Sequence, residues 1–244
     1  MSSDSDMPLT GHLEELRTRL VRASIAVFVL SIASYMFSEA LFAFLTEPLR
    51  ANFEKPMLIG TGVAEGFIVK LKVALAGGFV FAAPYCFYEL WKFVAPGLYE
   101  NERSLALPFV AASSFFFFVG ISFCFYVVLP FAFQFFEEQF MSIEVTPTIR
   151  IGEYLSFVTK LLMVFGAVFE LPVLTFFLAR IGLISSAFLI EKARISVVLI
   201  FVVAAILTPP DVATQVLLAV PLIVLYGLCI LIAKTVEKPR EPSA

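Results

Sequence analysis

Apolar residues in this chain come in long runs, and charged residues fall largely between the runs. Reading the runs against the charge breaks predicts six helices, at about 21–44, 68–90, 106–136, 155–179, 195–207 and 215–233. Polar or Pro/Gly-bearing stretches separate them, such as Thr46 to Glu65, Phe93 to Ser104 and Met141 to Glu153. The chain opens Met1-Ser2-Ser3-Asp4-Ser5-Asp6, polar and acidic where a cleavable signal carries a basic region. The first apolar run, near Val21 to Phe44, is also too long for a signal core, so it is expected to be a retained transmembrane helix. Residues 1–20 then form a cytoplasmic amphipathic segment, 21–233 the transmembrane domain and 234–244 a C-terminal tail. No internal repeat is visible, and the Phe115–Phe118 run reads as lipid-facing or packing surface.

Composition removes other classes. Hydrophobic residues make up 60% of 244 and charged residues 15%, with a mean hydropathy of +0.96. Soluble domains run at about 45–50% and about 25%. The surplus fits an all-α polytopic membrane protein and disfavours a soluble enzyme, a nucleic-acid binder or a disordered chain. Cys86, Cys124 and Cys229 all lie in apolar stretches, and there is one His. This argues against metal, haem or redox chemistry, and no cofactor is implied.

The formal net charge of −3 says little; its distribution says more. On one side lie Arg17, Arg19, Arg22, Lys92, Arg103, Arg180, Lys192, Arg194, Lys234, Lys238 and Arg240. The other side has Arg50, Lys55 and Arg150, while Lys70, Lys72 and Lys160 sit in outer helix ends where long stems can snorkel. This bias puts both termini in the cytoplasm.

Three features are unusual for a membrane bundle. The fifth run, Ile195 to Leu207, is 13 residues, about 20 Å of helix against about 30 Å of hydrocarbon. Either the helix extends backwards through Ala187 to Arg194 with snorkelled charges, or this half of the protein is thin and draws the bilayer down. Second, Glu170 lies about 15 Å from Arg180 along its helix, near mid-membrane, and is followed at once by Leu171-Pro172. Such a carboxylate faces a polar cavity or a partner, or is protonated and bonded to a neighbouring helix. Third, Thr208 and Gln215 bracket the outer turn between the last two helices, as helix caps or as a partner-docking point.

The acids of the cytoplasmic face form a second constellation. Leu13, Leu16 and Leu20 recur at helical spacing, so the segment before the first span reads as an amphipathic interfacial helix. Glu15 and Arg19 stand at i,i+4, the spacing of a surface ion pair. With Glu100 and Glu102 in the next cytoplasmic loop, Glu14 and Glu15 also set four acids on a positive-inside face, which suits a cationic peptide and above all Arg.

Several stretches, in order, resemble the TatC family, the core subunits of twin-arginine protein translocases. They are His12-Leu13-Glu14-Glu15-Leu16-Arg17-Thr18-Arg19, Pro48, Trp91-Lys92-Phe93-Val94-Ala95-Pro96-Gly97-Leu98-Tyr99 with Glu102-Arg103, Phe165-Gly166-Ala167-Val168-Phe169-Glu170-Leu171-Pro172, and Leu207-Thr208-Pro209-Pro210-Asp211. The resemblance covers nearly the whole chain outside its tails. It implies a concave, glove-like bundle in the bacterial cytoplasmic (inner) membrane, which binds signal peptides carrying consecutive arginines. With the single-span TatA and TatB helices, and self-associated in a larger complex, such proteins pass folded proteins across the membrane. It further implies that Glu15 and Glu102 bind the signal peptide and that Arg17, Pro84, Phe93, Leu98 and Arg103 shape or surround that site. Pro48 would cap the concave face from an outer loop, Glu170 would be the buried glutamate facing it, and Thr208 and Gln215 would lie where partner helices dock. Two carboxylates taking one guanidinium each would explain a preference for paired Arg over paired Lys. No G-x-x-x-x-G-K-[ST] loop is present, so energy is expected from the proton gradient or from assembly.

A small-solute transporter would favour two related halves with charges converging at the midplane. An intramembrane enzyme would need a nucleophile–base pair or metal ligands at membrane depth. The single central Glu170 supplies neither.

Overall fold

The computed structural model describes residues 9–53, 57–94, 106–208 and 211–237. Helices account for nearly all of them. They are α1 (Leu9–Met36), α2 (Ser38–Asn52), α3 (Glu65–Val94), α4 (Ala106–Phe123), a π-helical turn (Cys124–Val128), α5 (Leu129–Ser142), α6 (Ile151–Val168), α7 (Leu171–Arg180), α8 (Ser186–Leu207) and α9 (Val212–Val236). Sequence reading anticipated no strands, yet Met57–Ile59 (β1) and Thr148–Arg150 (β2) pair in parallel, with Leu58 opposite Ile149. Among the described residues, five paths are long and apolar enough to cross a membrane: Gly11–Met36, Glu65–Val94, Leu107–Ser142, Ile151–Arg180 and Val212–Val236. The chain is an all-helical, multi-span membrane protein.

The helices depart from the apolar runs where the backbone ladder is interrupted. The first run breaks at Phe37, whose N–H donates to Ser34 O, three residues back, at 3.1 Å; Ser38 and Glu39 then open α2, an acidic first turn that suits a helix N-terminus. At the other end, residues 9–20 are continuous with α1 rather than a separate segment. The fourth run divides at Phe169–Glu170. Pro172 has no N–H to give to Val168 O, Glu170 N–H turns to Ala167 O at 3.2 Å, and α7 restarts with Pro172 in its first turn. In the third run, Pro130 likewise lacks a donor, and the π-turn ahead of it takes up the mismatch, Leu129 N–H donating to Cys124 O, five residues back. The fifth helix is 22 residues, Ser186–Leu207, about 33 Å, with Glu191, Lys192 and Arg194 inside its first half. This is the longer of the two readings of that run.

The chain forms two compact units. The first comprises residues up to Phe44 together with Gly62–Phe115. Its framework is the α1–α3 pair. Gly78 lies so close to α1 that a Cβ there would come within 2.5 Å of Ser31 N and Cα, so only glycine permits this approach. Ser31 and Ser34 are buried on the facing side, and the Ser31 hydroxyl is satisfied by donating to Val27 O at 2.7 Å. Trp91, buried near the end of α3, packs on Phe109 with ring centroids 4.7 Å apart. Lys70 donates to Glu39 at 2.6 Å on the exposed surface.

The second unit comprises Leu45–Thr61 and the chain from Phe116 onward. Tyr154 is buried and donates its hydroxyl to Leu45 O at 2.7 Å, tying α6 to the middle of α2. Phe133 packs between Tyr154 and Phe53, at 5.6 and 6.4 Å. In the Phe115–Phe118 run, Phe115 is exposed and Phe117 is buried, so the run is packing surface at least at Phe117. Helices α8 and α9 form a hairpin held at both ends. Asp211 caps α9 through Thr214 N–H at 2.7 Å and the Thr214 hydroxyl. Glu237, past the end of α9, accepts from Ser186 N–H and, at 3.0 Å, from the Ser186 hydroxyl, placing a carboxylate on the α8 N-terminus.

Candidate functional site

The start of α1 and the end of α3 meet within the first unit, and charged side chains cluster there. Counting from the Ser31–Gly78 crossing, Arg19 lies 12 residues back along α1 and Glu89 lies 11 residues on along α3. At 1.5 Å per residue these are about 18 and 17 Å, so the two antiparallel helices bring Arg19 and Glu89 level. Arg19 Nη1 donates to Glu89 Oε2 at 3.1 Å, and Arg19 Nη2 donates to Glu15 Oε1 at 3.0 Å. The i,i+4 pair read from the sequence is therefore half of a three-residue bridge, Glu15–Arg19–Glu89. Tyr85 and Arg22 are further polar neighbours of Glu89. One turn before Glu15, His12 stacks on Phe93 at 4.4 Å and 23°. Lys92 sits over the Tyr88 ring at 4.4 Å, a cation–π contact.

The remaining sequence-predicted residues divide by unit. Arg17 is exposed on α1, and Pro84 is half-buried within α3, about 14 Å along the helix from Phe93. Leu98, Glu100, Glu102 and Arg103 lie outside the described residues. Glu15 and Phe93 both lie where α1 meets α3, Glu15 bonded to Arg19 and Phe93 stacked on His12. Pro48, Glu170, Thr208 and Gln215 belong to the second unit.

Pro48 was expected in an outer loop. It is buried inside α2, where its carbonyl accepts from Asn52 Nδ2 at 2.7 Å. The helix continues to Asn52 because Ser38 and Glu39 restart it, so the polar stretch from Thr46 begins as helix. Glu170 is 8% exposed and forms the N-cap position of α7, its carbonyl accepting from Leu174 N–H at 2.9 Å. Thr208 ends α8, buried, with its hydroxyl donating to Ala204 O at 2.9 Å. Gln215 is half-buried in α9 and donates across to Phe201 O of α8 at 3.0 Å. Both therefore have structural work inside the hairpin.

Glu89 is the residue that sequence reading missed. It is 3% exposed at the end of an apolar run, and an ionisable side chain so placed is itself a signal. Its partner stands 70 residues away, which no local spacing reveals. Chemically the cluster is two carboxylates sharing one guanidinium next to aromatic rings, and the remaining acceptor capacity of the half-buried Glu15 suits planar N–H donors.

Comparison with known proteins gives one answer. Residues 11–221 match the family model described as Sec-independent protein translocase protein (TatC). The Sec-independent protein translocase protein TatC of Desulforapulum autotrophicum is 46% identical over 236 residues, 96% of this chain and 87% of that protein. Its counterpart in Aquifex aeolicus is 35% identical over 236 residues, 96% of this chain and 98% of its own length. A crystal structure of the twin arginine translocase receptor TatC superposes with a TM-score of 0.85 at 34% identity, covering 92% of this chain and 99% of that one. The chain belongs to the TatC family of Sec-independent protein translocase proteins.

Proposed function

We propose that this chain is the signal-peptide receptor and core scaffold of a twin-arginine translocase in a bacterial inner membrane. As a translocase component it carries proteins and is not an enzyme. The observation that carries the reading is the half-buried Glu15 carboxylate, bridged through Arg19 to Glu89 where α1 meets α3 and one turn from the His12–Phe93 stack. A guanidinium already bonds the Glu15 carboxylate in a geometry that an incoming arginine can copy. Glu15 and Glu102 bind the paired arginines of a signal peptide. Arg17, Pro84, Phe93, Leu98 and Arg103 shape the surroundings.

Transport of the folded cargo adds partners. Single-span TatB and TatA helices dock at Thr208 and Gln215, further copies of this chain assemble into a larger complex, and the proton-motive force drives passage. Gln215 supports the docking: one donor goes to Phe201 O, and an amide offers more than one bond to a polar group on a neighbouring helix.

The test is photo-crosslinking in membranes. A crosslinker at position 15 should capture a twin-arginine precursor, and one at 215 a single-span partner helix. Capture of lipid alone at both positions would refute the assignment.

A further inference from the structure

The bridge of Glu15, Arg19 and Glu89 is not symmetric. Arg19 serves the two acids with different nitrogens, Nη2 to Glu15 and Nη1 to Glu89. Glu89 is buried, and a buried carboxylate without its counter-charge is strongly disfavoured, so this end of the bridge holds. The Glu15–Arg19 end is the accessible one, with side-chain exposures of 19% and 20% at i,i+4 spacing. An i,i+4 pair that still reaches solvent contributes less than a fully buried one, so this is the end that can exchange.

Accepting the receptor reading above, Glu15 is also the carboxylate that an arriving arginine takes. We infer that Arg19 is an internal competitor for Glu15, occupying it in the empty receptor and yielding it by remaining on Glu89. Because separate N–H groups face the two acids, the Nη2–Glu15 bond can open while the Nη1–Glu89 bond persists. Arg19 keeps a counter-charge throughout, and Glu89 is never left bare. The peptide's guanidinium then replaces one charge-assisted hydrogen bond to Glu15 with another. A lysine, strongly hydrated and lacking the planar fork, gains less on displacing Arg19. Occupancy by Arg19 therefore sets a threshold that favours arginine, with Arg19 as a specificity-determining residue and Glu89 as its positioning partner.

The experiment uses the full chain in lipid nanodiscs and a fluorescent signal peptide bearing twin Arg, twin Lys or twin Gln. If the unmodified protein does not prefer twin Arg over twin Gln, the receptor reading itself fails, and that is seen before any variant is made. With the preference present, Arg19→Lys decides the inference. A shorter, point-like ammonium stays with buried Glu89 and leaves Glu15 open. Twin-Arg affinity should rise about two- to fivefold, the order for releasing a partly exposed ion pair, and the Arg-over-Lys ratio should narrow. Glu89→Gln removes the anchor that draws Arg19 away, so affinity should fall by a similar factor, and adding Glu15→Gln should erase both effects. Unchanged or weaker twin-Arg binding by Arg19→Lys overturns the inference. Because that variant keeps Glu89 paired, it also decides the matter if Glu89→Gln fails to fold.

Discussion

Gly78→Ala tests whether the α1–α3 contact builds the charged cluster. A Cβ at position 78 would lie 2.5 Å from Ser31 N and Cα and 2.2 Å from Ser31 Oγ, whereas ordinary Cβ contacts begin at 3.4 Å. Relief requires α1 to retreat by about 0.9 Å, since its backbone is the obstacle and no rotamer of Ser31 removes it. Overpacking of this kind costs about 1–3 kcal/mol. The same displacement carried to Arg19 stretches its 3.1 Å bond to Glu89 to about 4 Å, beyond hydrogen-bonding distance. Stability is measured by denaturant unfolding in mixed micelles, and binding with a fluorescent twin-arginine peptide on the same preparation. Gly78→Ala should lose stability and also peptide affinity, although position 78 is about 17 Å from Glu89. Adding Ser31→Gly should not rescue it, because the clash with Ser31 N and Cα remains. Wild-type stability and affinity in Gly78→Ala, or full rescue by Ser31→Gly, would refute the reasoning.

Other expectations follow from the second unit and the charge bias. Glu170→Leu should keep twin-arginine peptide binding, since Glu15 and Glu102 remain, yet lose most transport, while Glu170→Gln retains part; full transport by Glu170→Leu at matched protein level would reduce this buried residue to a tolerated one. Asp211→Ala removes the α9 cap and should lower unfolding stability by about 0.5–2 kcal/mol, with Asp211→Asn recovering much of it; equal stability of all three would show the cap to be dispensable. After replacement of the native cysteines, Cys probes at Ser3 and Ser243 should be shielded from an external impermeant thiol reagent, and probes at Asn52 and Thr148 labelled; labelling of Ser3 in intact cells would reverse the orientation.

Five of the six apolar runs coincide with the five helical paths long and apolar enough to cross a membrane, because hydropathy decides which segments leave water. They did not show where those spans are interrupted. Phe37 breaks a run in which Ser34, Ser38 and Glu39 are the nearby polar residues, and these are compatible with a continuing helix as well as with the new helix start that they make. Pro172 and Pro130 were visible as residues without donors, but whether such a proline kinks, splits or adds a π-turn depends on the neighbouring helices. The site was half legible. Glu15 and Arg19 announced themselves by spacing, and Phe93 by resemblance. Glu89 did not, because its meaning comes from a helix crossing set by Gly78 and Ser31, far away in the sequence.

The central claim is that Glu15 reads arginine, and a peptide-binding measurement on Glu15→Ala tests it most directly. With the full chain in nanodiscs, wild-type protein should bind a twin-Arg peptide more tightly than its twin-Lys counterpart. Glu15→Ala should lose about 1–3 kcal/mol of twin-Arg binding, the range for hydrogen bonds to charged groups, and Glu102→Ala a comparable amount. The protein lacking both carboxylates should bind the twin-Arg and twin-Lys peptides about equally. Unchanged twin-Arg affinity in both single variants, with the preference over Lys intact, would contradict the account and move recognition to Glu14 or Glu100.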